Sequence, residues 1–235
     1  MDKTHIYVAC HKPFNNIFSN LSFLRFVEGG ASLHQQNFLQ LRDNFGDNIS
    51  YKNSSYNELT VLYWAWKNDV DSNILGLCHY RRYFIWYDNT LLNEITISKL
   101  LTQHDLICHK IGPLGTICRN RMGTSQSALR PKDIPVLRDI ILKLSGERYA
   151  IAFDRILDRN WNYLLNMFIS SKTIYNKYCE WLFTILSELE KKINYNELIG
   201  QQKRIYGLWG EYLLNVYIEA NNLTVFNCPI QQFNI

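Results

Sequence analysis

The chain has 235 residues, 47% hydrophobic and 20% charged, which is enough apolar mass for a full core and argues against a disordered chain. Its 25 Lys and Arg against 21 Asp and Glu give a net charge of +4. That balance argues against a nucleic-acid partner and suits an anionic small molecule or an anionic membrane surface. Six cysteines without a C-x-x-C pair argue against zinc and for a reducing compartment.

The opening MDKTHIYVAC lacks the basic-then-apolar plan of a signal peptide, and no apolar run reaches the roughly 18 residues that span a bilayer. The expected location is the cytoplasm. Residues 6–10, IYVAC, read as a first, central strand, with His11 and Lys12 just past its end. Residues 20–27 read as a short helix stopped by Gly29-Gly30. The stretch 43–53, DNFGDNISYKN, has turn chemistry and reads as a structured loop. Ser55-x-x-Glu58 matches a capping box, and Leu59, Leu62, Tyr63 and Trp66 then fall on one helix face as far as Asn68. A strand follows at 74–78, so that strand, helix and strand make a βαβ unit with parallel strands.

Downstream, 91–103 reads as a helix and 105–108 as a strand. Residues 109–132 hold glycines, prolines and the basic Lys110, Arg119, Arg121, Arg130 and Lys132, which predicts a long functional or mobile loop. Helices are expected at 134–144, 172–193 and 204–218, and a strand near 163–169.

Three polar clusters fall at predicted strand ends: His11-Lys12, His79-Tyr80-Arg81-Arg82 and His109-Lys110. In open α/β sheets ligands bind beyond the carboxyl ends of parallel strands. Cations gathered there make a crevice for a diphosphate, which arginine grips with a planar, charge-assisted fork. The ordinary alternative is that these are surface residues. A divalent ion, Mn or Mg, would need carboxylates. Asp69-Val70-Asp71 is a literal Asp-x-Asp, but it precedes its strand and should lie at the end away from the crevice. No metal residue is therefore assigned. Glu58 is explained by helix capping alone. Glu211, mid-helix among Trp209, Tyr212 and Leu213 and beside Gly207 and Gly210, is a candidate general base, since apolar company raises a carboxylate's pKa. The alternatives for Glu211 are solvent exposure or an ion pair with Arg204. No Gly-x-Gly-x-x-Gly, Walker loop or Gly-x-Ser-x-Gly is present.

Residues 43–68, the GLCHYRRYF of 76–84, 165–186 and 201–218, together with the opening IYVACHKPF, resemble the bacterial capsular and exopolysaccharide galactofuranosyltransferases of glycosyltransferase family 111. The resemblance implies an α/β, GT-A-like single domain over 1–235, with a mostly parallel central sheet flanked by helices and a helical C-terminal part. It implies a nucleotide-sugar-binding half at 1–108 and an acceptor-side half at 109–235. It implies transfer of galactofuranose from UDP-galactofuranose, with inversion, to a lipid-linked surface polysaccharide.

The positions that match the resemblance include His11, Lys12, Asp47, Asn48, Ser50, Asn53, Tyr56, Glu58, Thr60, His79, Tyr80, Arg81, Arg82, Asn166, Arg204, Gly207 and Glu211. From them we take Glu211 and then Asp47 as catalytic. Donor binding is expected of His11, Lys12, Asn48, Ser50, Tyr56, Glu58, His79, Tyr80, Arg81, Arg82, Asn166 and Arg204. The chain departs from the family's pattern over 109–160 and at Tyr212. The basic loop 109–132 is the expected contact with the inner membrane face. The rival reading is a non-catalytic nucleotide- or glycan-binding subunit of a polysaccharide assembly complex.

Overall fold

Thr4–Cys10 is buried along its whole length because its alternate side chains face two different cores. Ile6, Val8 and Cys10 enter one apolar cluster, while Tyr7 and Ala9 enter the other. A strand covered on both faces reads as a continuous apolar run, which is why this one was visible in the sequence. This computed structural model describes residues 2–124 and 127–234.

Thr4–Cys10 (β1) pairs in parallel with Leu24–Glu28 (β2) on one side. The residues expected to form a helix at 20–27 instead supply this edge strand. Leu24 and Val27 are buried and Arg25 is exposed, and pairing with β1 outweighs a weak local helix preference. The helical segment that follows begins with Asn53–Tyr56 (α1), breaks at Asn57, and resumes as Leu59–Asn68 (α2). On the other side of β1, Ile74–His79 (β3) is parallel to it and completes the expected βαβ unit.

The sequence GLCHYRRYF is a tight reversal. β3 ends at His79, Tyr80 and Arg81 make the turn, and Arg82–Phe84 (β4) runs back antiparallel with His79 opposite Arg82. Glu94–Leu101 (α3), Leu106–Ile111 (β5), Cys118–Arg121 (α4), Ile134–Ser145 (α5) and Glu147–Asp158 (α6) follow. Then come Asn162–Ser171 (β6), Lys172–Glu190 (α7), Ile205–Ala220 (α8), Val225–Asn227 (β7) and Ile230–Gln232 (β8). The eight-stranded sheet has the order β2-β1-β3-β6-β5-β7, with β4 bridging β3 and β8.

Flanking helices cover both faces, as expected of an α/β fold. The sheet is mixed rather than mostly parallel, because β6 runs antiparallel between β3 and β5. The chain leaves β5 at Ile111 and β6 begins opposite it at Asn162, so β6 can only run back down the sheet. The larger core lies under α2 and α5–α8 and includes Leu75, Leu77, Phe168, Tyr178 and Trp209. Full burial of a side chain such as Leu77 stabilises the fold by about 1.5–3 kcal/mol.

The region 109–132 is less open than expected. β5 extends to Ile111, and Cys118, Met122 and Leu129 are buried in the core. Most of its basic residues are engaged within the protein. Lys110 lies over Trp161, Arg119 pairs with Asp158, Arg130 with Asp133 and Lys132 with Glu197. No helix among the described residues is long and apolar enough to cross a membrane.

Candidate functional site

The parallel strands β1, β2 and β3 end side by side, and a cleft of about 660 Å³ opens beyond them. Its floor is Cys10, His11 and Gly29 from the first two strand ends, with His79, Arg81 and Arg82 from the hairpin. Asn53, Asn57 and Glu58 line one wall, and Leu165, Arg204, Leu208 and Glu211 the other. Both halves of the chain therefore contribute.

The floor is electropositive. Burial lowers the His11 pKa, and the nearby charges of Arg81, Lys12, His79 and Arg204 lower it further. Arg81 and His11 both rest on Tyr80. The Arg81 guanidinium lies 5.2 Å from the ring centroid, and the His11 ring meets it edge-on at 5.0 Å. Tyr80 itself is buried, so it supports the cations rather than facing a ligand. Arg82 Nε donates to Gln232 and Arg204 Nε to Asn57 Oδ1, both neutral partners. Among the described residues no carboxylate pairs with Lys12, Arg81, Arg82 or Arg204 within 4.0 Å. Cations held by neutral groups over a concave floor are left to bind an anion.

Two carboxylates face this floor. Leu165 and Asn166 both take positive φ (73° and 52°), which bends β6 out of the sheet between α8 and the hairpin. Non-glycine residues rarely adopt this conformation, and here the bend serves three contacts. The Leu165 carbonyl accepts from His79 Nε2 at 2.7 Å. Asn166 Nδ2 donates to Glu58 Oε1 at 2.7 Å and to the Gly207 carbonyl at 3.0 Å. The Leu165 main-chain N–H faces the Glu211 carboxyl.

Burial first, and the Glu58 charge second, push the Glu211 pKa up to about 8; Arg204, the Leu165 N–H and Arg82 oppose the shift. The Gly207 and Gly210 pair lets this packing occur. A Cβ at Gly207 would sit 3.0 Å from the Tyr56 carbonyl and closer still to the Asn57 amide, and one at Gly210 would sit 2.9 Å from Asn166 Oδ1.

Of the expected site residues, the structure gathers His11, Glu58, His79, Arg81, Arg82, Arg204 and Glu211 on the cleft. Lys12 adjoins it, close enough to affect His11. Asn166 lies behind the wall, holding Glu58. The capping-box reading of Glu58 does not hold, because the Ser55 hydroxyl bonds the Lys52 carbonyl and the helix breaks at Asn57, φ 52°.

Asp47, Asn48, Ser50 and Tyr56 are not brought to the cleft. Exposed Asp47 accepts from the Tyr63 hydroxyl, and Asn48 is occupied by Gly46 and Ser50. The buried Ser50 hydroxyl donates to Asp43 at 2.5 Å. Tyr56 packs between Tyr206 and Phe183 against α7 and α8. What unites this loop is the fully buried Asp43, which accepts from Gly30 N, Ala31 N, Ser50 Oγ and Thr60 Oγ1. Asn57 and Leu208 were not anticipated; an asparagine, which tolerates positive φ, between Tyr56 and Glu58 is the only signal for the former.

Asp69 does not suit a metal. Its oxygens already accept from His5, Tyr7, Ser72 and Lys172, and Asp71 pairs with Lys3, all at the amino end of β3. Among the described residues, no cluster of three or more His, Cys, Asp or Glu is arranged to hold an ion.

Residues 5–222 match the profile of a family described as a domain of unknown function, DUF4422. The chain belongs to the DUF4422 family. Its fold also matches the apo structure of WbbM, a bifunctional glycosyltransferase, with a TM-score of 0.88 and 28% identity. That match covers 100% of this chain and 46% of WbbM, so this DUF4422 chain spans less than half of that protein's length. No curated protein matches the chain. The cleft in this DUF4422 chain thus lies in an α/β framework shared with a glycosyltransferase structure.

Proposed function

We propose that the chain is a nucleotide-sugar-dependent glycosyltransferase and that the cleft beyond β1 and β3 binds its donor. The observation that carries this reading is the convergence of Arg81, Arg82 and Arg204, none of them in a salt bridge among the described residues, with the raised carboxyl of Glu211 in one cleft at the carboxyl ends of parallel strands. The cations would hold the donor diphosphate and stabilise the charge that grows on it as the glycosidic bond breaks. Glu211, when ionised, would take the proton from the acceptor hydroxyl as its oxygen attacks the anomeric carbon. The glycosyl group moves to the acceptor oxygen, the bonding pair leaves with the nucleoside diphosphate, and the proton stays on Glu211. With a single displacement the anomeric configuration inverts. His79, fixed by the Leu165 carbonyl, would contact the donor from the hairpin.

The motif resemblance supports the finer reading: UDP-galactofuranose as donor and a lipid-linked surface polysaccharide as acceptor, reached at the inner membrane face. The test is release of UDP from a panel containing UDP-galactofuranose, UDP-galactose, UDP-glucose and UDP-N-acetylglucosamine. Turnover of one member, abolished in Glu211→Gln, agrees with the proposal. UDP binding with no turnover of any member, with acceptor glycosides supplied, would favour a non-catalytic binding subunit.

A further inference from the structure

A second cavity, of about 450 Å³, adjoins the first across Glu211. Glu211 and Leu208 line both. Its remaining walls come from Leu164 on the bend of β6, Tyr212 on α8, Gln201, Arg121 at the end of α4, and the 127–129 segment after it.

The two cavities differ in chemistry. The first is floored by cations and polar groups, whereas the second sets an apolar wall of Leu129, Leu164, Leu208 and Tyr212 beside the polar Arg121, Thr124, Ser127 and Gln201. One of those polar groups is unsatisfied. Arg121 Nε is buried and has no hydrogen-bond partner, although leaving a buried donor unpaired normally costs free energy. No carboxylate pairs with Arg121 among the described residues. The Arg121 guanidinium also lines the groove, and a charged donor group beside an apolar wall suits a ligand with hydroxyl oxygens and an apolar face.

We propose that this groove is the acceptor subsite and that it takes the terminal sugar of a glycoside. The inference rests on the donor reading of the first cleft. A base that activates an acceptor hydroxyl must touch both substrates, and Glu211 is the titratable side chain common to the two cavities. The C–H face of the sugar packs on Leu164 and Leu208. Arg121 and Gln201 donate to its hydroxyl oxygens and turn the attacking hydroxyl toward Glu211. Leu208 forms the septum, so the attacking oxygen crosses beside it to the donor's anomeric carbon.

The experiment measures UDP release with a turned-over UDP-sugar and a panel of octyl glycosides: β-galactopyranoside, β-galactofuranoside, α-glucopyranoside and β-glucuronide. UDP binding is followed separately by calorimetry. For the wild type, one or more glycosides should accelerate UDP release above the rate with water alone. Arg121→Gln should raise the KM for that glycoside about ten- to hundredfold, with kcat within about twofold, as expected for loss of one hydrogen bond from a charged group. Ala128→Trp, which fills the groove, should remove the acceleration. UDP affinity should stay within about twofold in both variants. An unchanged acceptor KM in both variants overturns the assignment. So does a wild type that binds UDP yet responds to no glycoside. A wild type that fails to bind UDP overturns the donor reading instead.

Discussion

Glu211 sets the pH at which the proposed chemistry runs. Its carboxyl is held at about 8 by burial and by the neighbouring Glu58 charge. At pH 7 about one tenth of the molecules carry the ionised base, and at pH 9 about nine tenths do. The kcat/KM for the donor should therefore rise about ninefold between pH 7 and pH 9, because this parameter reports the free enzyme's groups. Glu58→Gln removes the second cause while its amide oxygen still accepts from Asn166. It should move the rising limb to lower pH and raise the rate at pH 7. Glu211→Gln should remove the limb together with most of the activity. The assay is initial-rate UDP release from pH 6 to 9.5 at constant ionic strength. A flat wild-type profile, or a Glu58→Gln limb that moves upward, would refute the assignment of Glu211 as base.

The same carboxyl affects stability. Its folded pKa lies above the ordinary value, so the native state binds more protons than the unfolded chain between pH 4.5 and about 8, and stability falls as pH rises through that window. Glu211→Gln should remove this loss and raise the melting temperature at pH 8.5 clearly more than at pH 4.5; an equal shift at both pH values would speak against it. Gly207→Ala places a methyl group against the Tyr56 carbonyl and the Asn57 amide. It should cost about 1–3 kcal/mol in urea denaturation and more than tenfold in turnover; wild-type values would mean that α8 does not need this approach. Asp43→Ala strands two main-chain N–H groups and two hydroxyls. It should destabilise the protein by about 3–5 kcal/mol, since each unsatisfied buried donor costs about 1–3 kcal/mol before the loop relaxes, and a change under 1 kcal/mol would show that the loop is held in another way.

Elements with their own periodicity could be read directly from the sequence. β1 and β3 showed as apolar runs because both faces of each are covered. α7 and α8 showed through the spacing of Tyr178, Leu182 and Leu189, and of Ile205, Leu213 and Val216. β2 was misread because Leu24 and Val27 fit a helix face as well as a strand, and only its pairing with β1 decides between them. α6 was missed although Ala150, Phe153 and Leu157 carry a helical spacing, because Gly146 was not recognised as the break from α5. The antiparallel entry of β6 and the strands β7 and β8 depend on where the chain returns, which no local pattern encodes.

The candidate site divides in the same way. The cations were legible because they follow a strand end directly. The Asp47–Ser50 loop was misplaced because its polar residues serve the buried Asp43 and the outer face of α2, a matter of tertiary contacts. Glu58 appeared to be a cap until the break at Asn57 turned it toward Asn166.

The central claim is that the hairpin tip and α8 hold a nucleoside diphosphate, and calorimetric titration of UDP tests it most directly. The proteins are the wild type, Arg81→Ala/Arg82→Ala and Asp47→Ala. The account predicts that the wild type binds, that the double variant binds at least thirtyfold more weakly through loss of charge-assisted contacts, and that Asp47→Ala binds as the wild type does. Binding within threefold in the double variant, or equal weakening in Asp47→Ala, would contradict it.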